Sequence, residues 1–64
     1  MTVGELATCV TNAGGNKAKI KKCEDDFVAA GGIATDTQGG KVFSDTSGGK
    51  VFVTDGGKVF DNPV

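Results

Sequence analysis

Histidine, tryptophan, tyrosine and arginine are missing from this chain, and proline and methionine occur once each. Without histidine, imidazole-based zinc sites and the commonest general base are excluded. Without arginine, and with seven lysines against eight acids for a net charge of −1, the chain lacks the basic footprint of a nucleic-acid binder, so no nucleic-acid partner is expected. No run approaches the roughly 18 apolar residues of a membrane-spanning helix. Two cysteines are too few for the dense disulfide frameworks of small toxins and inhibitors. Phenylalanine, four times, is the only aromatic in 64 residues, so the core is small. A chain of this size buries only about 60% of its unfolded surface and generally needs a disulfide, a metal or a partner subunit. Such a core does not extend to an enclosed catalytic cleft, and an enzyme is not expected.

Glycine is what the chain has in excess. Ten of its eleven glycines form five Gly-Gly pairs, beginning at Gly14, Gly31, Gly39, Gly48 and Gly56. Glycine takes positive φ at little cost, so each pair reads as punctuation between elements. Residues 1–32 have helical periodicity, whereas residues 36–62 are rich in Gly, Val, Phe, Thr and Asp; together they are read as one small domain, 1–64.

Thr2 and Glu5 have capping-box spacing, and Val3, Leu6, Ala7 and Val10 share one helical face, predicting a helix over about 3–12 that ends at Gly14-Gly15. Asn16 can cap a second helix with Ile20, Cys23, Phe27 and Ala30 along its apolar stripe, stopped by Gly31-Gly32. The short turn predicts an antiparallel helical hairpin. It brings Cys9 near Cys23, and a bridge between them would stabilise the chain by about 3 kcal/mol through loop closure. Two buried free thiols are the alternative. No apolar segment follows Met1 as in a secretory signal, so the compartment turns on the thiols: cytoplasmic if they are free, extracellular or an assembled particle if the bridge is formed.

The pentapeptide Gly-Gly-Lys-Val-Phe occurs at Gly39–Phe43, Gly48–Phe52 and Gly56–Phe60, offset by nine and then eight residues. Val-Phe nucleates strands, and the Thr, Asp, Ser and Gly between copies supply turns. The expected fold is therefore α+β: the helical hairpin followed by a three-stranded antiparallel meander, with a short parallel β-solenoid as the alternative. In the meander, Phe43 opposes Phe52 across a four-residue loop, Thr46–Gly49, closed by Asp45 and Lys50. Phe52 opposes Phe60 across Asp55-Gly56-Gly57, closed by Thr54 and Lys58. That register puts Phe43, Phe52 and Phe60 on one face, with Lys41, Lys50 and Lys58, and Val42, Val51, Val53 and Val59 on the other.

One helical hairpin cannot cover both faces. Val42, Phe43, Val51, Phe52, Val53, Val59 and Phe60 are accordingly the candidate self-association residues, and a homo-oligomeric, non-enzymatic fibre, coat or oligomer subunit is the leading functional expectation. The second helix agrees: Lys17, Lys19, Lys21 and Lys22 precede Glu24, Asp25 and Asp26, an order opposed to the helix dipole but suited to head-to-tail contact between copies.

No cofactor is expected. Val follows each Gly-Gly-Lys, so the phosphate-loop motif is absent, and Val42, Val51 and Val59 stand where calcium-binding nonapeptides require a third Gly. Asp36, Asp45, Asp55 and Asp61 each adjoin a turn or chain end, where Asp is favoured for local hydrogen bonding. A second class comes from resemblance. Phe27-Val28-Ala29-Ala30-Gly31-Gly32 resembles the end of a double-glycine export leader, and the tandem units behind it resemble the cores of a precursor for ribosomal peptide modification, with Phe43-Ser44-Asp45 and Phe60-Asp61-Asn62 as crosslinking segments. That resemblance implies a modifying enzyme or an exporter as partner.

Overall fold

The computed structural model describes residues 1–61, apart from the Asp61 side chain; Asn62, which ends the expected repeat region and one crosslinking segment, lies outside the described residues. Two helices, α1 (Val3–Asn12) and α2 (Lys17–Ala29), precede four strands: β1 (Ile33–Thr37), β2 (Gly40–Ser44), β3 (Lys50–Thr54) and β4 (Val59–Asp61). The strands form one sheet in the order β1-β2-β3-β4, each antiparallel to the next, so the meander holds and the parallel solenoid does not.

Both helices begin as their sequences dictate. The Thr2 Oγ1 accepts from the Glu5 N–H at 3.2 Å, and the Glu5 carboxylate accepts from the Thr2 N–H at 2.8 Å, completing the capping box of α1. Asn16 Oδ1 accepts from the Lys19 N–H at 3.2 Å and caps α2. Gly14 and Gly15, at φ 59° and 85°, turn the chain between the helices. The predicted stripes face the sheet: Leu6 and Val10 from α1, and Ile20, Cys23 and Phe27 from α2, are buried, whereas Ala30 falls beyond the helix and is exposed. The charge order of α2 leaves only a weak internal contact, Lys21 to Asp25 at 3.3 Å with both side chains well exposed.

Cys9 and Cys23, separated by 14 positions, lie at disulfide distance with a Cα–Cα separation of 5.9 Å. Cys23 is buried and Cys9 packs at the core margin, so the bridge ties α1 to α2 beside the apolar contact rather than in solvent.

The sheet departs from expectation in two respects. It gains a fourth strand, β1, because Ile33–Thr37 pairs with β2 across the two-residue turn Gln38-Gly39, with Gly39 at φ 87°. The register of β2 and β3 is also shifted by one: Phe43 faces Val51, and Val42 faces Phe52. The loop is not Thr46–Gly49 but Thr46-Ser47-Gly48, closed by Asp45 and Gly49, whose N–H and C=O are 3.1 Å apart, with Gly48 at φ 89°. The β3–β4 hairpin uses the loop expected for it, Asp55-Gly56-Gly57, with the Thr54 N–H donating to the Lys58 C=O at 2.9 Å and Gly57 at φ 93°.

The two hairpins thus share a three-residue turn while their repeats differ in spacing by one residue. A one-residue change exchanges the faces of every side chain that follows. The first copy therefore turns Phe43 inward and Val42 outward, while the second and third turn Val51 and Val59 inward and Phe52 and Phe60 outward. Lys41 lies on the helix-covered side with Phe43, separated from Lys50 and Lys58. The single face of three phenylalanines does not form.

Phe43, Val51 and Val53 supply the sheet's part of the core, with Val59 packed against it. The Phe43 ring meets Phe27 of α2 edge to face, at 5.8 Å between centroids and 87° between planes. Gly32 is bare where a Cβ would run into the Phe27 ring, which lets the chain leave α2 directly beneath it.

Two outcomes are expected from this packing. Alanine at Gly56 meets only an ordinary contact with Thr54 at 3.9 Å, whereas alanine at Gly57 would sit at φ 93° with its Cβ 2.8 Å from Ile20 Cδ1. Urea titration should therefore find Gly56→Ala within about 0.5 kcal/mol of the parent, and Gly57→Ala less stable by about 1–2 kcal/mol. Replacing both cysteines by alanine should lower the unfolding free energy by about 3 kcal/mol, read as an earlier urea midpoint with an unchanged native amide spectrum.

Candidate association surface

The seven residues expected to mediate self-association divide between the two sides of the sheet. Phe43, Val51 and Val53 are at most 1% exposed beneath the helices, and Val59 lines the core margin, so these four belong to the chain's own packing in the folded state. Val42, Phe52 and Phe60 remain on the uncovered face. Register places them in one row across the sheet, Thr35–Val42–Phe52–Phe60.

Each member of the row has a local reason for its position. Phe52 and Phe60 stack at 6.4 Å between centroids with 29° between planes. A Cβ on Gly40 would come within 2.9 Å of Phe52 Cζ, so the Phe52 ring reaches over bare backbone there and is half-buried. Phe60, on the last strand described, has no such shelter and is 52% exposed. Ile33, which sequence periodicity did not select, is 61% exposed at the opposite border of the same face. Its signal was the alternating Ile-Ala-Thr between a Gly-Gly pair and the first repeat.

Charge on this face is of one sign. Among the described outward positions of the four strands, Lys50 is the ionisable residue, and Lys58 follows directly after the β3–β4 turn. Lys41, on the other side, lies 3.5 Å from Asp36 in an exposed pair. Such a pair contributes between 0 and about 1 kcal/mol.

Two clefts flank the helical layer. One, of about 260 Å³, lies between α2 and the sheet, where Lys17, Lys21, Glu24, Lys41 and Asp55 surround a floor of Ile20 and Phe43. Burial there pushes the Glu24 carboxyl above its ordinary value, with Lys41 acting in the opposite direction. The other, of about 310 Å³, lies beside the Cys9–Cys23 pair and is mostly apolar. Charges of both signs rim the first cleft, and the bonded cysteines occupy the second. Among the described residues, no three His, Cys, Asp or Glu side chains gather closely enough to hold a metal ion, and no helix is long and apolar enough to cross a membrane.

Of the aspartates assigned to turns, Asp45 combines hydrogen bonds within its own turn with one to the start of α1. Asp45 Oδ1 accepts from the Ser47 N–H and the Gly49 N–H, both at 2.9 Å, while Oδ2 accepts from the Val3 N–H at 3.1 Å at the start of α1. Hydrogen bonds from Val3 and Gly49 hold its carboxyl below the usual aspartate value, and the Ser47 bond acts in the same direction. Comparison with protein-family models, curated proteins and solved structures returned no match.

Because the Asp45 pKa is lowered in the folded state, its contribution is fully present above the unfolded value of 3.8 and is lost as pH falls through the folded value. Thermal unfolding scans between pH 6 and pH 2 should show the melting temperature of the parent falling below about pH 4. Asp45→Asn should melt earlier at neutral pH and lose less on acidification. Glu5, also lowered, retains part of the acid slope, while the raised Glu24 contributes with the opposite sign above its ordinary value of 4.5.

Proposed function

We propose that this chain is a non-enzymatic assembly subunit that associates with copies of itself through the sheet face its helices leave uncovered. The observation that carries this reading is the row Val42–Phe52–Phe60, with Ile33 at the far border, on the side of the sheet away from the helical hairpin. In water, an apolar row on an antiparallel sheet whose borders no described strand pairs gains free energy by contact with another apolar surface, and the borders supply backbone donors and acceptors for it.

The precursor reading, with a cut after Gly32, has no comparable support. Phe27 of the would-be leader and Phe43 of the would-be core sit ring against ring, so that cut divides one set of packed side chains.

Size-exclusion chromatography with light scattering tests the proposal. The parent should elute as a species heavier than the 6.4 kDa chain, with a mass that rises with concentration. Phe60→Ser should keep the native amide spectrum and weaken association by about tenfold or more, the equivalent of burying a large apolar side chain. Phe43→Ser should instead unfold or loosen the subunit, since emptying such a core site costs about 3–5 kcal/mol. A parent that remains a monomer at millimolar concentration would overturn the reading.

A further inference from the structure

The two borders of the sheet are matched to each other. Hydrogen bonds in an antiparallel ladder alternate, so each strand directs every second residue toward each neighbour. The Asp45 N–H bonds Gly49, which directs Lys41 and Phe43 of β2 toward β3 and Gly40, Val42 and Ser44 toward β1. The partners of the latter three are Thr37, Thr35 and Ile33, so Ala34 and Asp36 present their backbone groups outward from β1. The Thr54 N–H bonds Lys58, which directs Phe60 of β4 toward Phe52 and leaves Val59 presenting its backbone groups outward from the opposite border.

Ala34 and Val59 also share the helix side of the sheet, since Ala34 faces Phe43 and Val59 faces Val53. Residues directly opposite one another in an antiparallel pair point to the same face. A β1 strand laid against the β4 strand of another copy therefore forms hydrogen bonds with the helices of both copies on one side. Placing Ala34 opposite Val59 brings Ile33 opposite Phe60. These are the large apolar residues left most exposed on the uncovered face, 61% and 52% exposed, and they would occupy a non-hydrogen-bonded pair, where side chains approach most closely.

The helical layer permits the join. α1 lies over β3 and β4, and α2 over β1. Two helices packed about 8–10 Å apart occupy about 20 Å, and four strands at about 4.8 Å occupy about 19 Å. The helical layer and the sheet are thus of similar width.

We infer that copies join head to tail, β1 of one copy pairing antiparallel with β4 of the next in the register Ile33 opposite Phe60 and Ala34 opposite Val59, to give an open-ended filament with one continuous sheet. This rests on the self-association proposed above and specifies its geometry. Because the two borders differ, the contact is heterologous and does not terminate growth at a dimer.

Electron microscopy and fibre diffraction of the parent, alongside light scattering of Ile33→Asp and Ala34→Pro, test it. The filament should show strands perpendicular to its axis and an axial rise of about 19 Å per copy. Ala34→Pro removes an outward N–H that the chain's own ladder does not use, and Ile33→Asp places charge at the join on an exposed position; both should stop elongation while retaining the native amide spectrum. If either variant does not fold, the axial rise alone decides. A compact dimer whose size is unchanged by both variants, or filaments with another rise, would overturn the edge join and leave the outer-face reading standing. A strictly monomeric parent would overturn both.

Discussion

The carboxylate of Asp45 connects the two halves of this chain. Three backbone N–H groups converge on it, two from its own turn and one from the first residue of α1. The local pair closes the Thr46-Ser47-Gly48 loop as a three-residue turn. The remote one seats the start of α1 against that turn, satisfying a donor that the helix cannot satisfy itself. Loop length then fixes strand register, and register fixes which side chains are inside. A single acceptor thereby links the start of the first helix to the direction in which Phe43 points.

Identical pentapeptides consequently have unequal roles. Had all three copies been spaced by eight residues with the same turn, all three phenylalanines would share a face, and the core would receive valines alone or lose its valines to solvent. The extra residue between the first two copies places one phenylalanine against Phe27 while leaving two outside. Glycine use divides the copies differently. In the first two copies the left-handed position is the first glycine, Gly39 or Gly48, and in the third it is the second, Gly57. The repeat is conserved as chemistry but is read in two frames, and the frame is set by the residues between copies.

Much of this architecture was legible in the sequence because its signals are local. The Thr2–Glu5 capping box, the Asn16 cap, the glycine stops, the Cys9–Cys23 proximity and the Asp55-Gly56-Gly57 turn each depend on residues within one element or one connection. What sequence did not yield depended on a comparison between competing interactions. An Asp45–Lys50 cross-strand charge pair favoured a four-residue loop. In the fold, Asp45 instead accepts backbone donors, which are fixed in place and require no ordering of a long lysine side chain. β1 escaped because all five of its residues are exposed, so it carries no buried stripe from which periodicity could identify it. The candidate surface was correspondingly half legible: Val42, Phe52 and Phe60 were selected together with residues that the register draws into the core, and Ile33 was missed with its strand.

The exposed strand and the incomplete burial have a common origin in the size of the helical layer. A hairpin of two short helices has one apolar side, and the inner faces of β2, β3 and β4 already use it. β1 adds hydrogen bonds to the sheet without adding to the core, and it places Ile33 at one border of the outer face while Phe60 occupies the other. Within one copy β1 is held by its pairing with β2 and its contact with α2 rather than by buried side chains. It also supplies a border whose outward groups have the same facial parity as those of β4, and that parity is the geometric requirement for extending an antiparallel sheet from one copy to the next.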